Sequence, residues 1–103
     1  MARYRHRVNI QKRERMFDGE GWKYDWKTID TVWASISPVS AQERLEWQKL
    51  DVEVTHKISL RPYPGIDRID HRLEFKDRVF KIVSILNPQE LGRRLDLICT
   101  EEG

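Results

Sequence analysis

The sequence predicts a mainly β protein: a small six-stranded antiparallel barrel or sandwich, with one short helix inserted between strands two and three. Three observations support this fold class. Short runs of alternating polar and apolar residues recur, turn residues separate them, and a single segment carries a strong helix-start signal. No helical stretches lie between successive strands, as parallel βαβ units would require. A chain of 103 residues is expected to form a single domain, residues 1–103.

The first strand is predicted over residues 4–10. Its even positions, from Tyr4 to Ile10, are expected to face the core, and its odd positions are expected to face outward. The outward positions, with the residue before the strand, form a stripe of cations: Arg3, Arg5 and Arg7.

A hairpin loop is predicted over residues 16–21, where two glycines and an aspartate occur together. Its flanking side chains Phe17 and Trp22 are expected to be exposed. Alternation resumes in residues 26–36, the predicted second strand, in which Trp33 is expected to face away from the core. The inward positions of that strand are expected to be Ile29, Val32, Ala34 and Ile36.

One helix is predicted over about residues 41–50. Ser40 and Glu43 match a capping box, in which each side chain satisfies a free backbone N–H at the helix start.

Four further strands are predicted after the helix. Residues 52–61 alternate strictly, residues 69–75 alternate again, and residues 95–100 form the last strand. The run 79–86 is apolar on both faces and is therefore placed centrally. If the strands at 52–61 and 68–75 form a hairpin, His56 and His71 are neighbours on its inner face.

The sequence predicts no metal site, no cofactor and no enzyme activity. Two histidines among aliphatic neighbours fall short of the three or four ligands that zinc needs, so core histidines with backbone partners are expected instead. The single cysteine, Cys99, lies in an apolar run and is expected to be an inert core thiol. Phosphate-binding glycine loops and a glycine-framed nucleophile are both missing from the sequence.

The net charge of +2 is too small for a dedicated nucleic-acid-binding protein, but its distribution is uneven. Residues 1–15 contain six cations and one carboxylate. The arginine stripe Arg3, Arg5 and Arg7 is spaced for phosphate contacts along one strand face, and it also suits a charged edge strand that prevents unwanted pairing. The edge-strand interpretation is favoured. No run is apolar enough for a membrane span or a signal peptide, so a cytoplasmic location without membrane contact is expected.

Four tryptophans in so short a chain exceed what a small core needs. Because tryptophan and arginine are favoured at protein interfaces, some of them are predicted to be contact residues. For Trp47 the alternative is a second small cluster beneath the helix. The predicted interface residues are Phe17, Trp22, Trp26, Trp47 and Arg44.

The order of landmarks along nearly the whole chain resembles the phage head–tail joining proteins, also called head–tail adaptor, head-closure or stopper proteins. The resemblance lies in the combined order of strand segments, since none of them is a catalytic motif. The segments are residues 5–11, 31–38, 40–43, 54–58, 78–82 and 94–99.

The resemblance implies a structural virion protein of a phage or prophage, assembled in the bacterial host cytoplasm. It implies a homo-oligomeric ring beneath the portal that closes the DNA-filled head and provides the tail attachment surface. The implied partners are a portal-bound adaptor and a tail-terminator or tail protein. DNA is expected to pass through the ring without sequence-specific binding, with Arg3, Arg5 and Arg7 as candidate channel-facing residues. The isolated subunit is expected to be monomeric.

Two alternatives remain open from the sequence. The first is an oligonucleotide-binding β-barrel, in which basic residues contact phosphates and aromatic residues stack on bases. The second is a tail terminator, which is also a small ring protein.

Overall fold

In the computed structural model, which describes residues 4–87 and 92–102, the chain forms six strands and one helix. All strand pairs are antiparallel, which confirms the predicted fold class. The elements are β1 (His6–Phe17), β2 (Trp22–Pro38), α1 (Ala41–Gln48), β3 (His56–Leu60), β4 (His71–Phe75), β5 (Arg78–Leu86) and β6 (Leu95–Glu102).

The strands pair in the order β1-β2-β3-β6-β5-β4, and β4 pairs again with β1, so the sheet closes into a barrel. Closure gives every strand two neighbours over part of its length and removes free edges from the barrel wall. The predicted central position of the 79–86 segment therefore becomes a position between β4 and β6.

The barrel interior is filled by side chains from alternate positions of all six strands. Phe80 is the largest of these, and it is fully buried. Small barrels are closed by packing of this kind and leave no channel through their own interior. The buried core residues are Val8, Ile10, Ala34, Ile58, Leu60, Leu73, Phe80, Ile82, Leu97 and Cys99.

The hairpin that was considered between residues 52–61 and 68–75 does not form. β3 pairs with β2 and β6, whereas β4 pairs with β1 and β5. The connection between β3 and β4 packs Tyr63 and Ile66 against the core instead of making a tight turn. His56 and His71 are therefore not cross-strand neighbours, and the reason for considering them together is lost.

The first two strands are much longer than predicted. β1 continues seven residues beyond the predicted end at Ile10, and β2 begins four residues before the predicted start at Trp26. A bulge in the β1–β2 ladder leaves Ile29 without a paired residue, because Ile10 pairs with Asp30 and Gln11 with Thr28. Ile29 is 45% exposed and does not face inward as predicted, because it lies three positions before the inward-facing Val32 and a regular strand places such residues on opposite faces.

The helix begins as predicted, with the Ser40 hydroxyl accepting a hydrogen bond from the Glu43 N–H at 3.1 Å. The second half of the predicted capping box does not form, because the Glu43 carboxylate makes no hydrogen bond to the Ser40 N–H and instead lies 3.6 Å from Lys57 Nζ of β3. None of the helix residues is fully buried. Within the described part of the chain, no helix is long and apolar enough to cross a membrane.

Candidate interaction surface on the projecting hairpin

The distal half of the β1–β2 hairpin extends beyond the barrel. β1 pairs with β4 only from Asn9 to Lys12, and β2 pairs with β3 only from Ala34 to Pro38, while the two strands remain paired with each other as far as Phe17 and Trp22. We call residues 13–26 the arm. It has strand partners only within itself, and the molecule is elongated, with extents of 48 × 29 × 27 Å.

The turn at the tip of the arm is held by Asp18. Its Oδ1 accepts hydrogen bonds from the N–H groups of Glu20 and Gly21, at 2.9 and 3.1 Å. Lys23 lies 2.8 Å from the other carboxylate oxygen and, followed by the backbone N–H groups, lowers the pKa of Asp18. Gly19 has a φ of 93°, a conformation that glycine adopts without a Cβ penalty.

The two faces of the arm differ in chemistry. Residues directly opposite each other in an antiparallel pair lie on the same face, and the face alternates along each strand. One face, which we call the aromatic–arginine face, consists of the pairs Arg13–Trp26, Arg15–Tyr24 and Phe17–Trp22. The other face consists of the pairs Lys12–Lys27, Glu14–Asp25 and Met16–Lys23.

Arginines and aromatic rings stack diagonally along the aromatic–arginine face. The Arg13 guanidinium carbon lies 4.1 Å from the Tyr24 ring centroid, and that of Arg15 lies 4.2 Å from the Trp22 ring. The Phe17 and Trp22 ring centroids are 5.3 Å apart. The aromatic side chains nevertheless remain accessible, with exposed fractions of 61% for Phe17, 59% for Trp22 and 58% for Tyr24. A large exposed aromatic surface that is already ordered is typical of a contact site.

The base of the arm is held against the barrel by Arg72 of β4. Its guanidinium carbon lies 4.6 Å from the Trp26 ring, and its Nε donates to the side-chain oxygen of Gln11 at 2.6 Å. Gln11 is nearly buried and donates in turn to Thr28 and to Glu74. These contacts connect both strands of the arm to the barrel wall.

A second connection joins Arg13 to the segment before β4. The Arg13 side chain pairs with the Asp70 carboxylate at 3.1 Å, and the Arg13 N–H donates to the Asp70 carbonyl at 2.7 Å. Because both contacts involve the first residue of the arm, they set the direction in which it leaves the barrel.

Three of the five predicted interface residues, Phe17, Trp22 and Trp26, lie together on the aromatic–arginine face. The helix residue Arg44 is exposed and lies apart from them. Trp47 is partly buried and packs against Val39, Val54 and Ile98. These residues form a small cluster of the kind that was the alternative prediction for Trp47.

Sequence reasoning missed three residues of this face, Arg13, Arg15 and Tyr24, and it also missed Arg72 of β4, which supports the base of the arm. The signal was present in the spacing, because Arg15 and Tyr24 are equally distant from the centre of the turn, as are Arg13 and Trp26. Opposite members of a hairpin share a face, so this symmetry could have predicted the arrangement.

Two residues of the arginine stripe, Arg5 and Arg7, lie on the outer surface of the barrel. Arg5 and Arg7 are exposed, and the Arg7 guanidinium carbon is 5.6 Å from the ring of Trp33, which faces outward as predicted. Arg3 lies outside the described residues.

His56 and His71 have hydrogen-bonding partners near them in the barrel. His71 is nearly buried and its Nδ1 accepts a hydrogen bond from the Asp67 N–H at 3.3 Å. His56 Nδ1 lies 2.9 Å from the Thr55 hydroxyl, and burial followed by the nearby Arg78 lowers the pKa of His56. Arg78 itself pairs with Glu101 through two nitrogens, at 2.7 and 3.3 Å.

Residues 4–87 and 92–102 contain no group of three or more possible metal ligands among histidine, cysteine, aspartate and glutamate. Cys99 is fully buried, and burial raises the pKa of its thiol to about 12, so the thiolate is strongly disfavoured. The geometry supports contact with another macromolecule better than it supports chemistry at a reactive group.

Comparison with known proteins identifies the family. The sequence profile of the phage head completion proteins matches residues 1–102. The chain belongs to this family. Membership places it among the structural proteins of phage particles, in agreement with the resemblance found in the sequence. A search of curated proteins found no match.

Two solved structures share the fold of this family member. A protein from Shigella flexneri 2a, known from a solution structure, has a TM-score of 0.82 and 24% identity, covering 100% of this chain and 96% of its own. A chain in the virion of a native gene transfer agent particle has a TM-score of 0.67 and 20% identity, covering 99% and 96%. At these identities the likeness concerns the fold.

Proposed function

We propose that this head completion protein is a head–tail connector subunit that forms a ring beneath the portal, closes the DNA-filled head and provides the tail attachment surface. The observation that supports this most directly is the family match over residues 1–102. The similar chain in a gene transfer agent virion supports the same location. The proposed partners are a portal-bound adaptor on one side and a tail-terminator or tail protein on the other.

The proposed ring is homo-oligomeric and requires two different patches on each subunit, because a rotational head-to-tail contact is heterologous. The arm with Phe17, Trp22 and Trp26 is proposed as one patch, and the helix with Arg44 and Trp47 as the other. Arg5 and Arg7, with Arg3, are proposed to face the central channel of the ring, through which DNA passes without sequence-specific contacts. The role is structural, with no catalytic step.

The isolated subunit is proposed to be monomeric and to assemble on a portal-bound template in the host cytoplasm before it becomes part of the virion. The arm offers an argument for this. In β2, the Asp25 and Asp30 carboxylates accept hydrogen bonds from the Trp26 and Thr31 N–H groups, at 2.9 and 2.8 Å. These N–H groups lie before the segment that pairs with β3, so the carboxylates reduce the tendency of that edge to recruit another strand.

The decisive experiment adds the purified chain to phage heads arrested before tail attachment, taken from the phage or prophage that encodes it. The proposal predicts binding at the portal vertex, retention of packaged DNA and recovery of tail attachment, measured by sedimentation and electron microscopy. Heads that remain unoccupied would contradict it. Binding at the tail end of isolated tails would favour the tail-terminator alternative.

The aromatic–arginine face also gives the oligonucleotide-binding alternative a specific basis, since aromatic rings and arginines are the groups that bind single strands. That alternative predicts salt-dependent binding of single-stranded DNA by the lone subunit, weakened when Arg5 and Arg7 are replaced by alanine. The connector proposal predicts negligible binding by the lone subunit, with or without these substitutions.

A further inference from the structure

The aromatic–arginine face offers one cation for an external partner. Arg13 is already paired with Asp70, whereas Arg15 has no carboxylate oxygen within 4.0 Å among the described residues. The Arg15 guanidinium stacks on Trp22, and stacking leaves the N–H groups at its edge available for a carboxylate. A suitable partner therefore combines a carboxylate with an apolar surface that accepts the neighbouring Phe17 and Trp22 rings.

The end of α1 and the turn after it have this combination. Leu45 and Leu50 are 59% and 69% exposed, although both are apolar. Residues 43–53 contain four carboxylates and two cations, and the carboxylates of Asp51 and Glu53 belong to exposed residues in the turn. We call residues 50–53 the acidic turn.

Two hollows adjoin the acidic turn. One, of about 700 Å³, extends across the outer face of β5 and β6 to the base of the arm, and the other, of about 380 Å³, lies against α1. Both are lined by Asp51, Val52 and Glu53. Both hollows are open to solvent and are large enough to receive an aromatic side chain beside a carboxylate. Four cations also line the larger hollow, namely Arg13, Arg68, Arg72 and Lys81, whereas Arg44 is the one cation among the described lining residues of the smaller hollow.

We propose that the arm of one copy of this chain docks on the acidic turn of a neighbouring copy. Arg15 pairs with the carboxylates of Asp51 and Glu53, and the Phe17–Trp22 pair enters the smaller hollow against α1, which is the less cationic of the two. This inference rests on the proposed ring and names the contact that forms it. Within one molecule, no ion pair or aromatic contact joins the arm tip to the turn in the described residues, so both surfaces are left for other copies.

The contact is heterologous, which permits a mixing experiment. Arg15→Glu disables the arm and leaves the turn intact. Asp51→Asn combined with Glu53→Gln removes the charge of the turn and leaves the arm intact. Asparagine is chosen because Asp51 has a φ of 57°, which asparagine tolerates, and glutamine is chosen because a cation at position 53 would attract the altered arm of the other variant. Each variant alone lacks one half of the contact, so a mixture of the two can form only one-to-one pairs.

The ¹⁵N-labelled Arg15→Glu variant is titrated with the unlabelled turn variant to about 1 mM and observed by NMR, a concentration suited to weak contacts. We expect amide shifts within residues 43–55 of the labelled protein. Neither variant alone should change with concentration. The expected loss of affinity on charge reversal is about tenfold or more. Titration without shifts in residues 43–55 would overturn the proposal.

A charge exchange and a matched control test the pairing itself. Arg15→Glu, Asp51→Asn and Glu53→Arg combined in one chain should restore self-association, because the reversed pair is again complementary and no carboxylate of the turn repels the altered arm. Lys12→Glu makes the same charge change on the opposite face of the hairpin, and we expect it to leave association unchanged. Equal effects of the Lys12 and Arg15 substitutions would contradict the proposal, because the loss of association would then not depend on the face of the hairpin that carries the charge.

Attachment to arrested heads separates this inference from the proposed function. If Arg15→Glu abolishes attachment but no contact between copies is measured, the arm binds another virion protein, and the inference fails while the connector function stands. If the unaltered chain does not attach to heads at all, the connector function fails, whatever the mixing experiment gives.

Discussion

In the barrel, ten core residues are buried between strands that have partners on both sides, whereas the arm has two strands and fully buries none of its aromatic side chains. Barrel residues are therefore held by exclusion of water, and the arm is held by backbone pairing, stacking of arginines on aromatic rings and contacts at its base. The exposed residues of the arm can therefore change with little effect on folding. They are suited to binding, because the hairpin already orders them before a partner arrives.

The largest expected effect tests this contrast with the same substitution in both regions. Phe80→Ala removes the largest fully buried side chain, and it should lower the free energy of unfolding by about 3–5 kcal/mol. Phe17→Ala removes the same ring from the arm, where it is 61% exposed, and should change that free energy by less than about 0.5 kcal/mol. Urea denaturation measures both. Similar losses for the two variants would show that the arm is part of the cooperative core.

An intermediate effect is expected at the junction of the two regions. Arg72→Ala removes the hydrogen bond to the nearly buried Gln11 and the contact with Trp26, and it should cost about 1–3 kcal/mol. Lys81→Ala is the matched control, because Lys81 is an exposed cation paired directly with Arg72 across β4 and β5. Hydrogen exchange should show faster exchange in the arm of the Arg72 variant only. Equal exchange in both variants would mean that Arg72 does not hold the arm.

The fold of the barrel was largely predictable because alternation is a local signal of one buried face. Leu73 and Phe80 follow that pattern, and the helix start at Ser40 follows from capping chemistry. The pairing of β3 with β6 was not predictable from the same signal, since local alternation does not specify which distant strand lies alongside. Ile29 was misassigned because it was grouped with Val32, three positions away, although a regular strand places residues at that spacing on opposite faces.

The candidate site was predictable only in part, for a related reason. Phe17, Trp22 and Trp26 were found because exposed aromatic residues near a turn indicate contact. Arg13 and Arg15 were counted only as charges and lay outside the predicted strands, because a strand without a buried face has no polar–apolar alternation to detect. What makes that segment a strand is its cross-strand partners, Trp26 and Tyr24, and these become evident only when the hairpin is paired residue by residue.

A smaller effect concerns pH and the barrel alone. His56 contacts Phe80 edge-on and is surrounded by Arg78, Glu101 and Arg44, and burial, followed by Arg78, lowers its pKa in the folded protein. A lowered folded pKa means that protonation favours unfolding. Stability is therefore full above the ordinary histidine pKa of about 6.5 and falls as the pH decreases below it.

We expect urea midpoints to decrease between about pH 7.5 and 5.5 for the unaltered chain and to change less for His56→Gln. The lower limit keeps Glu101 ionised, because Arg78 lowers the pKa of that carboxyl. An equal decrease in both proteins would assign the pH dependence to another group.

The smallest effect on global stability is expected at the arm tip, which is the part of the hairpin farthest from the strands that pair with the barrel. Asp18→Ala removes the acceptor for the Glu20 and Gly21 N–H groups, so these amides should exchange faster with solvent, whereas the unfolding transition should not shift measurably. Asp18→Asn keeps an oxygen acceptor and should preserve most of the protection. The reason is that the tip can open without disturbing the barrel, since β1 and β2 reach their barrel partners only from Lys12 and Ala34 inward. A shifted unfolding transition in the alanine variant would mean that the hairpin folds as one unit with the barrel, and the arm's residues would then be constrained by stability as well as by binding.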